Sequence, residues 1–316
     1  MDVNMAQLKS HTLENTQTIE HPSSGGKALS DIFDNLTLEI IEENPDDMII
    51  DIKGIEAPLA NALRRIMISE VPTMAIEDVD LYQNTSVIPD EVLAHRLGLI
   101  PIYAEPEKFK YKTQEDSHNG ENSILFKLHV KCIRLQDKSI QNENVYSRDL
   151  IWSPLPGQEK MHIAPVHSDI LIAKLGPGQE IEAELWCEKG IGATHTKWSP
   201  VCTASYRLMP SITLSQILKG ENAKALKRKC QAKVFDIEDG KAIVANMRDC
   251  TSCRECLRDE NFGVVLGKVK DHFIFSIEST GILKPRRILR DAILILKKKA
   301  RDWIDIINVY KHTPKS

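Results

Sequence analysis

Ala57-Pro-Leu-Ala-Asn-Ala-Leu-Arg-Arg-Ile-Met-Ile-Ser-Glu-Val-Pro72 is the stretch of this 316-residue chain that decides its fold. Its apolar side chains recur three and four residues apart, at Leu59, Leu63, Ile66 and Met67. Pro58 suits the first turn of a helix, and Pro72 marks the point by which that helix must have ended. The stretch therefore predicts an amphipathic helix, and its polar side carries Asn61, Arg64 and Arg65.

The segments that flank this helix in the chain cannot complete a domain alone. Residues 36–40 and 48–52 alternate apolar and polar side chains, and turn residues lie between them, so they predict a β-hairpin. A hairpin followed by one helix cannot bury both of its faces. Near the other end of the chain, residues 272–278 alternate in the same way and precede a helix predicted from Pro285 to about Tyr310. We expect these distant segments to form one α+β domain.

The predicted C-terminal helix carries an apolar stripe about seven turns long. The side chains that form the stripe recur three and four apart, close to a heptad pattern, and they are Leu289, Ala292, Leu296, Ala300, Trp303 and Ile307. One interpretation is a core helix beneath a sheet. The interpretation we favour is pairing with a second subunit, because isoleucines widen the apolar surface beyond one stripe. The basic residues of this helix are most simply a solvated face, although they could also contact an acidic partner.

Composition excludes several classes of protein. Hydrophobic residues make up 42% of the chain and charged residues 27%, which is typical of a globular protein. A net charge of -4 argues against autonomous nucleic-acid binding, so we expect DNA contact only through other proteins. No apolar run approaches the length of a membrane span, and the N-terminus does not read as a secretory signal. We therefore expect no membrane partner.

A cysteine cluster suggests metal chemistry in a reducing compartment. Cys250, Cys253 and Cys256 form a C-x2-C-x2-C run, and Cys230 stands upstream as a possible fourth ligand. Three interpretations compete: a 3Fe–4S or 4Fe–4S cluster, a zinc ion held by four thiolates, and no metal. The spacing favours iron–sulfur over zinc, because zinc sites more often use two separated C-x2-C pairs. The remaining cysteines are predicted to be buried in strands, at Cys132, Cys187 and Cys202.

Three longer motifs resemble a known family. They are NALRRIMISEVPTMAIE at 61–77, NTSVIPDEVLAHRLGLIPI at 84–102, and the G-x-G…H-x-K-W-S-P pattern at 190–200. Together they resemble the alpha-like subunits of multisubunit RNA polymerases, and they are most similar to the larger alpha-like subunit shared by polymerases I and III. The archaeal and polymerase II types are the alternatives. No group of four close cysteines lies between Glu105 and Pro154, which argues against the polymerase II type.

The resemblance implies a division of the chain into domains. Residues 36–72 and 263–312 would form a discontinuous dimerisation domain, residues 73–218 a large inserted domain, and residues 219–262 a small ferredoxin-like subdomain that holds the cysteines. Residues 1–35 are polar and aperiodic, so they are predicted to be a disordered extension.

The resemblance also implies a function. The chain would be a non-catalytic scaffold that pairs with the smaller alpha-like subunit and supports the two largest subunits and small polymerase subunits, in transcription of rRNA, 5S rRNA and tRNA. It would lie in the nucleus, including the nucleolus. Residues expected to contact partners are the helix stripe named above together with Asn61, Arg64, Arg65, His95, Arg96, Lys197 and Trp198. A rival from another class is an iron–sulfur redox or sensor protein built on the cysteine run.

Overall fold

The structure, a computed structural model, describes residues 5–9, 13–14 and 35–312. Within these ranges the helices are α1 (Ala57–Ser69), α2 (Asp90–Gly98), α3 (Gly220–Lys229) and α4 (Pro285–His312). The strands are β1 (Met5–Leu8), β2 (Leu13–Glu14), β3 (Thr37–Glu43), β4 (Asp47–Lys53), β5 (Pro72–Asn84), β6 (Ile102–Tyr103), β7 (Ser123–Lys131), β8 (Ile133–Arg134), β9 (Ile140–Gln141), β10 (Asn144–Tyr146), β11 (Ile151–Ser153), β12 (Ala164–Pro165), β13 (Leu171–Lys174), β14 (Glu180–Ile191), β15 (Val201–Leu214), β16 (Phe235–Glu238), β17 (Lys241–Val244) and β18 (Val264–Ser279). None of the described helices combines the length and the apolar character that crossing a bilayer requires.

The chain forms two compact units. The first comprises the described residues of Met1–Glu42, Ile49–Asn61 and Ser205–Ser276, and the second comprises those of Glu43–Met48, Ala62–Ala204 and Ile277–Ser316. This division differs from the predicted domains, since the cysteine region shares a unit with the N-terminal hairpin, and α4 shares one with most of the predicted insert. The long strands β15 and β18 cause the difference, because each contributes residues to both units.

The first unit is built on a six-stranded sheet. Its strand order is β2-β1-β18-β4-β3, and β15 also pairs with β18. The N-terminal hairpin therefore shares a sheet with a strand more than two hundred residues further along the chain. The predicted association of the hairpin with the strand at 272–278 is confirmed, whereas α4 belongs to the other unit. A separate apolar cluster in the same unit surrounds α3, the β16–β17 hairpin and the cysteines.

A short N-terminal strand corrects one expectation. β1 pairs antiparallel with β18, so that Met5 lies opposite Val269 and Leu8 opposite Leu266. The prediction of disorder over 1–35 is wrong for this strand, because the edge of β18 offers unpaired backbone groups that a passing segment can bond. Most of the rest of that range lies outside the described residues.

The second unit is built on a four-stranded sheet in the order β11-β7-β14-β5. β14 pairs antiparallel with both of its neighbours, and its inward side chains lie in a continuous apolar core. Helix α2 packs on this sheet through Leu93 and Leu97, both fully buried. Its first turn carries Asp90 and Glu91, whose negative charges interact favourably with the positive N-terminal end of the helix dipole.

A buried carboxylate joins three elements of the first unit. The Asp51 side chain is 5% exposed, and it accepts two hydrogen bonds of 2.8 Å from the Arg248 guanidinium. His272 Nε2 lies 2.9 Å from the same carboxylate. Burial raises the pKa of Asp51, but the bonds and charges of Arg248 and His272 outweigh it, so the pKa lies below its ordinary value. The carboxylate therefore remains charged at neutral pH and links β4 to β18 and to the start of the cysteine loop.

We expect Asp51→Asn to lower the free energy of unfolding by about 2 kcal/mol, because hydrogen bonds to a charged group are lost. Because the pKa is lowered on folding, this stabilisation is complete above the unfolded-state pKa of about 4 and disappears as pH falls through the folded-state value. Urea unfolding at pH 7 and in acid measures both effects. Asp47→Asn, at an exposed position of the same strand, is the control. Equal unfolding midpoints for the two variants would contradict the assignment.

Candidate partner-binding helix and cysteine cluster

The first turns of α4 are buried by the chain itself. Ile288 and Ala292 are completely buried, and Leu289 is 6% exposed. Arg287 donates to Glu105 at 2.6 Å and to Asp291 at 3.2 Å. Burial raises the pKa of Asp291 more than the neighbouring guanidinium lowers it. The start of the helix is therefore fixed by burial of its apolar side chains and by ion pairs of Arg287.

The remainder of α4 is not covered. Between residues 293 and 310 no side chain is buried, and at a rise of 1.5 Å per residue this part of the helix is about 27 Å long. Its exposed large apolar side chains are Ile293, Leu294, Trp303, Ile304, Ile306, Ile307, Val309 and Tyr310. Trp303 alone is 65% exposed. A continuous exposed apolar surface of this kind marks a site of interaction with another molecule.

The predicted stripe divides into two parts along this helix. Leu289 and Ala292 lie in the chain's own core, so they are not presented to a partner in this structure. Leu296 is half-buried, while Ala300, Trp303 and Ile307 are exposed. The periodic pattern identified the apolar face correctly, but it could not show where the chain's own cover ends.

A basic run flanks the exposed apolar surface. Lys297, Lys298, Lys299 and Arg301 are exposed, and Lys299 forms an ion pair with Glu70 at 2.7 Å. The end of α4 that extends beyond the core is therefore apolar on one side and positively charged beside it.

Helix α1 has the predicted amphipathic form with one exception. Leu63, Ile66 and Met67 are buried, whereas Leu59 is 40% exposed. On its polar side Asn61 and Arg64 are half-buried, and Arg65 is exposed.

The two predicted contact residues on α2, His95 and Arg96, are both exposed. Arg96 donates to the backbone carbonyls of Ile172 at 2.9 Å and Leu171 at 2.7 Å, so its guanidinium links α2 to β13. Arg96 therefore has a structural role within this unit, and its contact with a partner stays a prediction.

Lys197 and Trp198 are also structural. Trp198 is 5% exposed, and its indole N–H donates to the Glu188 carbonyl at 3.1 Å. The Lys197 ammonium donates to the Ile76 carbonyl at 2.7 Å and forms an ion pair with Glu77. Both side chains thus make contacts inside the second unit, and their contact with a neighbouring subunit stays a prediction.

The glycines of the same motif permit close packing. A Cβ atom at Gly190 would lie 2.3 Å from the Trp198 ring, and one at Gly192 would lie 2.2 Å from the Ile68 carbonyl oxygen. The glycines of this motif therefore allow the Trp198 ring to pack directly on β14.

The fold brings the four predicted cysteine ligands together. Cys230, at the end of α3, and Cys250, Cys253 and Cys256 line one cavity in the first unit. Its walls are otherwise largely apolar, with Val234, Phe235 and Leu266 among them. The loop between Cys250 and Cys256 enters the left-handed backbone region twice, at Ser252 and Arg254, so it curls tightly from one cysteine to the next.

Burial and the neighbouring thiols shift the pKa values of the cysteines in this cluster. Burial is the main cause that raises the pKa of Cys256 to about 12, and the three neighbouring cysteines contribute in the same direction. Burial also raises the pKa of Cys250. The Val234 N–H donates to Cys230 Sγ at 3.4 Å. Four thiols in an apolar cavity can bind a cationic metal centre, since metal binding would offset the cost of charging them.

The sequence analysis did not predict two further groups of polar side chains. Among the described residues, the groups of three whose ligand atoms lie within 4.8 Å of one another are Asp78, His118 and Glu188, and His129, Glu180 and Glu182. Lys112 lies 2.6 Å from Glu188 and 3.6 Å from Asp78, so an ammonium already neutralises the first group. We interpret both groups as surface ion-pair networks. Sequence spacing could not find them, because each joins separate strands and loops.

Burial was predicted for all three of the other cysteines, and the structure shows it for two of them. Cys132 and Cys187 are buried, as predicted, but Cys202 is exposed. Cys202 lies at the start of β15 beside the buried Val201, and alternation along the strand turns its side chain outward.

These observations define a class: an α+β protein with a discontinuous fold that leaves most of an amphipathic helix uncovered for pairing. The sequence matches the family described as the RNA polymerase Rpb3/Rpb11 dimerisation domain over residues 50–300, and the chain belongs to this family. It is 49% identical over 285 residues to "DNA-directed RNA polymerases I and III subunit rpac1" of Dictyostelium discoideum, covering 87% of this chain and 83% of that protein. It is 45% identical over 291 residues to the human RPAC1 subunit, covering 86% and 84%.

An archaeal relative has a lower identity over a matched region of similar length. The chain is 34% identical over 279 residues to "DNA-directed RNA polymerase subunit Rpo3" of Methanosphaera stadtmanae, covering 86% of this chain and 99% of that protein. The higher identity to the polymerase I and III subunits agrees with the motif-based expectation.

We expect Gly190→Ala to destabilise the chain by about 1–3 kcal/mol, because the added methyl group overlaps the indole ring and displaces the Trp198 side chain. Urea unfolding followed by tryptophan fluorescence measures both the loss of stability and the altered ring environment. Gly176→Ala is the matched control, since a Cβ there would meet only the Gln179 side chain, at 3.4 Å. If the Gly190 variant is as stable as the control, the packing role is wrong.

Proposed function

We propose that this chain is the larger alpha-like subunit shared by RNA polymerases I and III, and that it pairs with the smaller alpha-like subunit to form the platform on which the two largest subunits assemble. The single observation that carries the proposal is the uncovered part of α4, whose apolar side chains remain in water unless a partner covers them. The similarity to subunits named for polymerases I and III supports the choice of complex.

The charge of α4 favours a different chain as partner. In a pair of identical helices, the basic runs at 297–301 would approach each other, and like charges beside an apolar seam disfavour pairing. A partner helix with an apolar stripe and acidic flanking residues satisfies both the exposed surface and the exposed charge. A heterodimer therefore fits this helix better than a homodimer.

Other contacts would follow from assembly. Arg65 and His95 are exposed and would contact larger and small polymerase subunits, and Asn61 and Arg64 lie on the same helix as Arg65. In this proposal the chain supplies no catalytic group of its own, and DNA is contacted only through the complex. The expected location is the nucleus, including the nucleolus.

We also propose that the four cysteines hold one 3Fe–4S or 4Fe–4S cluster. The C-x2-C-x2-C spacing of Cys250, Cys253 and Cys256 supports this choice over zinc, because zinc sites more often use two separated C-x2-C pairs. A 4Fe–4S cluster would use all four cysteines, and a 3Fe–4S cluster would use three of them. Bound there, the cluster would cross-link residue 230 to the 250–256 loop and stabilise this part of the unit.

We expect the double substitution Trp303→Glu and Ile307→Glu to abolish pairing with the small alpha-like subunit, weakening affinity at least about 100-fold if each residue contributes about 2 kcal/mol or more. Both side chains are exposed, so the chain itself should remain folded. Co-purification and analytical ultracentrifugation measure the outcome. Val87→Glu is the control, because Val87 is 85% exposed elsewhere in the same unit. A wild-type chain that stays monomeric whether or not the partner is present would refute the proposal.

We expect anaerobically purified protein to contain iron and acid-labile sulfide, and Cys256→Ser to remove most of both. Cys202→Ser is the control, since that cysteine lies outside the cluster. Elemental analysis and visible absorption settle the content. If the protein contains zinc without sulfide, or no metal at all, the cluster assignment is wrong and the scaffold proposal is unaffected. Reversible reduction of a cluster in a chain that does not pair would instead favour the redox-protein rival.

A further inference from the structure

The residue through which the chain enters the cysteine loop is held on two sides. Arg248 lies in a short turn, two residues before Cys250. Its guanidinium donates two hydrogen bonds of 2.8 Å to the Asp51 carboxylate, and its backbone carbonyl accepts one of 2.8 Å from the Arg207 guanidinium. The Cys250 N–H in turn donates to the Met247 carbonyl at 3.2 Å. The backbone directly before Cys250 is therefore fixed by side chains from two strands and by the turn itself.

The ion pair of Arg248 is shielded from water and geometrically specific. The Asp51 side chain is 5% exposed and that of Arg248 26%. Two parallel hydrogen bonds between a guanidinium and a carboxylate fix orientation as well as distance. His272 Nε2 lies 2.9 Å from the same carboxylate, so Asp51 is itself held in place. Since Asp51 lies on β4 and His272 on the neighbouring strand β18, the anchor of Arg248 is the interior of the six-stranded sheet.

The remote cysteine is tied to the same stretch of chain. The Val234 N–H donates to Cys230 Sγ at 3.4 Å. The Val234 carbonyl accepts the N–H groups of Ala245 and Asn246 at 2.9 and 3.0 Å. Val234 thus links Cys230 to the segment that leads to Cys250, and hydrogen bonds within the protein determine how these two cysteines lie relative to each other.

An arginine at the other end of the loop makes a much weaker contact. Arg258 lies two residues after Cys256, and its guanidinium pairs with Glu255 at 3.0 Å. The Arg258 side chain is 67% exposed, and exposed ion pairs contribute little to stability. Arg248 and Arg258 therefore lie at the same distance in sequence from a cysteine of the cluster, but only Arg248 joins the loop to a buried carboxylate.

We propose that Arg248 is a positioning residue for the metal centre: held by Asp51, it fixes the backbone at Cys250 so that the Cys250 thiolate joins the other ligands. Residues that orient metal ligands without touching the metal typically change metal affinity 10–100-fold when they are lost. Asp51 precedes Arg248 by 197 residues, so retention of the metal depends on a carboxylate in a distant part of the chain. The inference rests on the proposed cluster and is independent of the pairing of α4.

The test uses the full-length chain, loaded anaerobically with ferrous iron and sulfide and then titrated with the ferrous chelator bathophenanthroline. For Arg248→Gln we expect the chelator concentration that removes half of the iron to fall at least about tenfold. The double variant Asp51→Asn with Arg248→Gln should show the same fall, although it leaves no buried charge without a partner. Circular dichroism confirms that each variant is folded.

Two control variants separate positioning from other effects. Arg258→Gln makes the same chemical change at the matched position, and we expect it to leave the chelator midpoint within about twofold. Phe275→Leu creates a cavity beside the same sheet without altering the ion pair, since Phe275 is completely buried. It should lower the urea midpoint of unfolding but leave the chelator midpoint within about twofold of the wild type.

The outcomes distinguish this inference from the cluster proposal. If Phe275→Leu loses iron as readily as Arg248→Gln, iron retention follows stability and the positioning role is wrong. It is also wrong if Arg248→Gln retains iron as well as the wild type does. A wild-type chain that takes up neither iron nor sulfide would overturn the cluster proposal and this inference together.

Discussion

The uncovered apolar surface of α4 is the constraint on which the function of this protein depends. Burying a large apolar side chain is worth about 1.5–3 kcal/mol, and several such side chains remain in water along residues 293–310. The helix is nevertheless held firmly, because its first turns are buried and Arg287 is bound to acidic neighbours. Anchoring at one end and exposure at the other keep the surface ordered before a partner arrives, which reduces the entropy lost on pairing.

Residues that look like contacts in a sequence can serve the chain's own backbone. Arg96 and Lys197 belong to distinctive motifs, but both donate to main-chain carbonyl groups within the second unit. Trp198 similarly fills a space that Gly190 leaves open. These motifs are thus explained by satisfying buried polar groups and by close packing, and subunit contact is not needed to account for them. The residues left for partners are the exposed ones, chiefly on α4, α1 and α2.

Periodicity predicted the elements whose burial is simple. The hairpin, α1, β18 and α4 show clear periods of two or 3.6, and the structure contains all four. Helix α3 escaped because it is rich in lysine and buries only Ala223 and Leu226. Strand β15 escaped because its buried positions do not alternate regularly. The gathering of Cys230 with the later cysteines was suggested by residue type, but the cavity that they share depends on packing between α3 and a distant loop, which no local pattern encodes.

Net charge describes a whole chain, whereas binding depends on where the charges lie. The value of -4 argues against a broad basic footprint over the whole chain, yet it averages over local groups of cations such as those at 224–229 on α3 and 297–301 on α4. Under physiological salt, charges separated by more than about 8 Å are largely screened from each other. Acidic residues elsewhere on the molecule therefore cancel little of the potential beside such a group, and a locally cationic surface can exist on a protein whose net charge is negative.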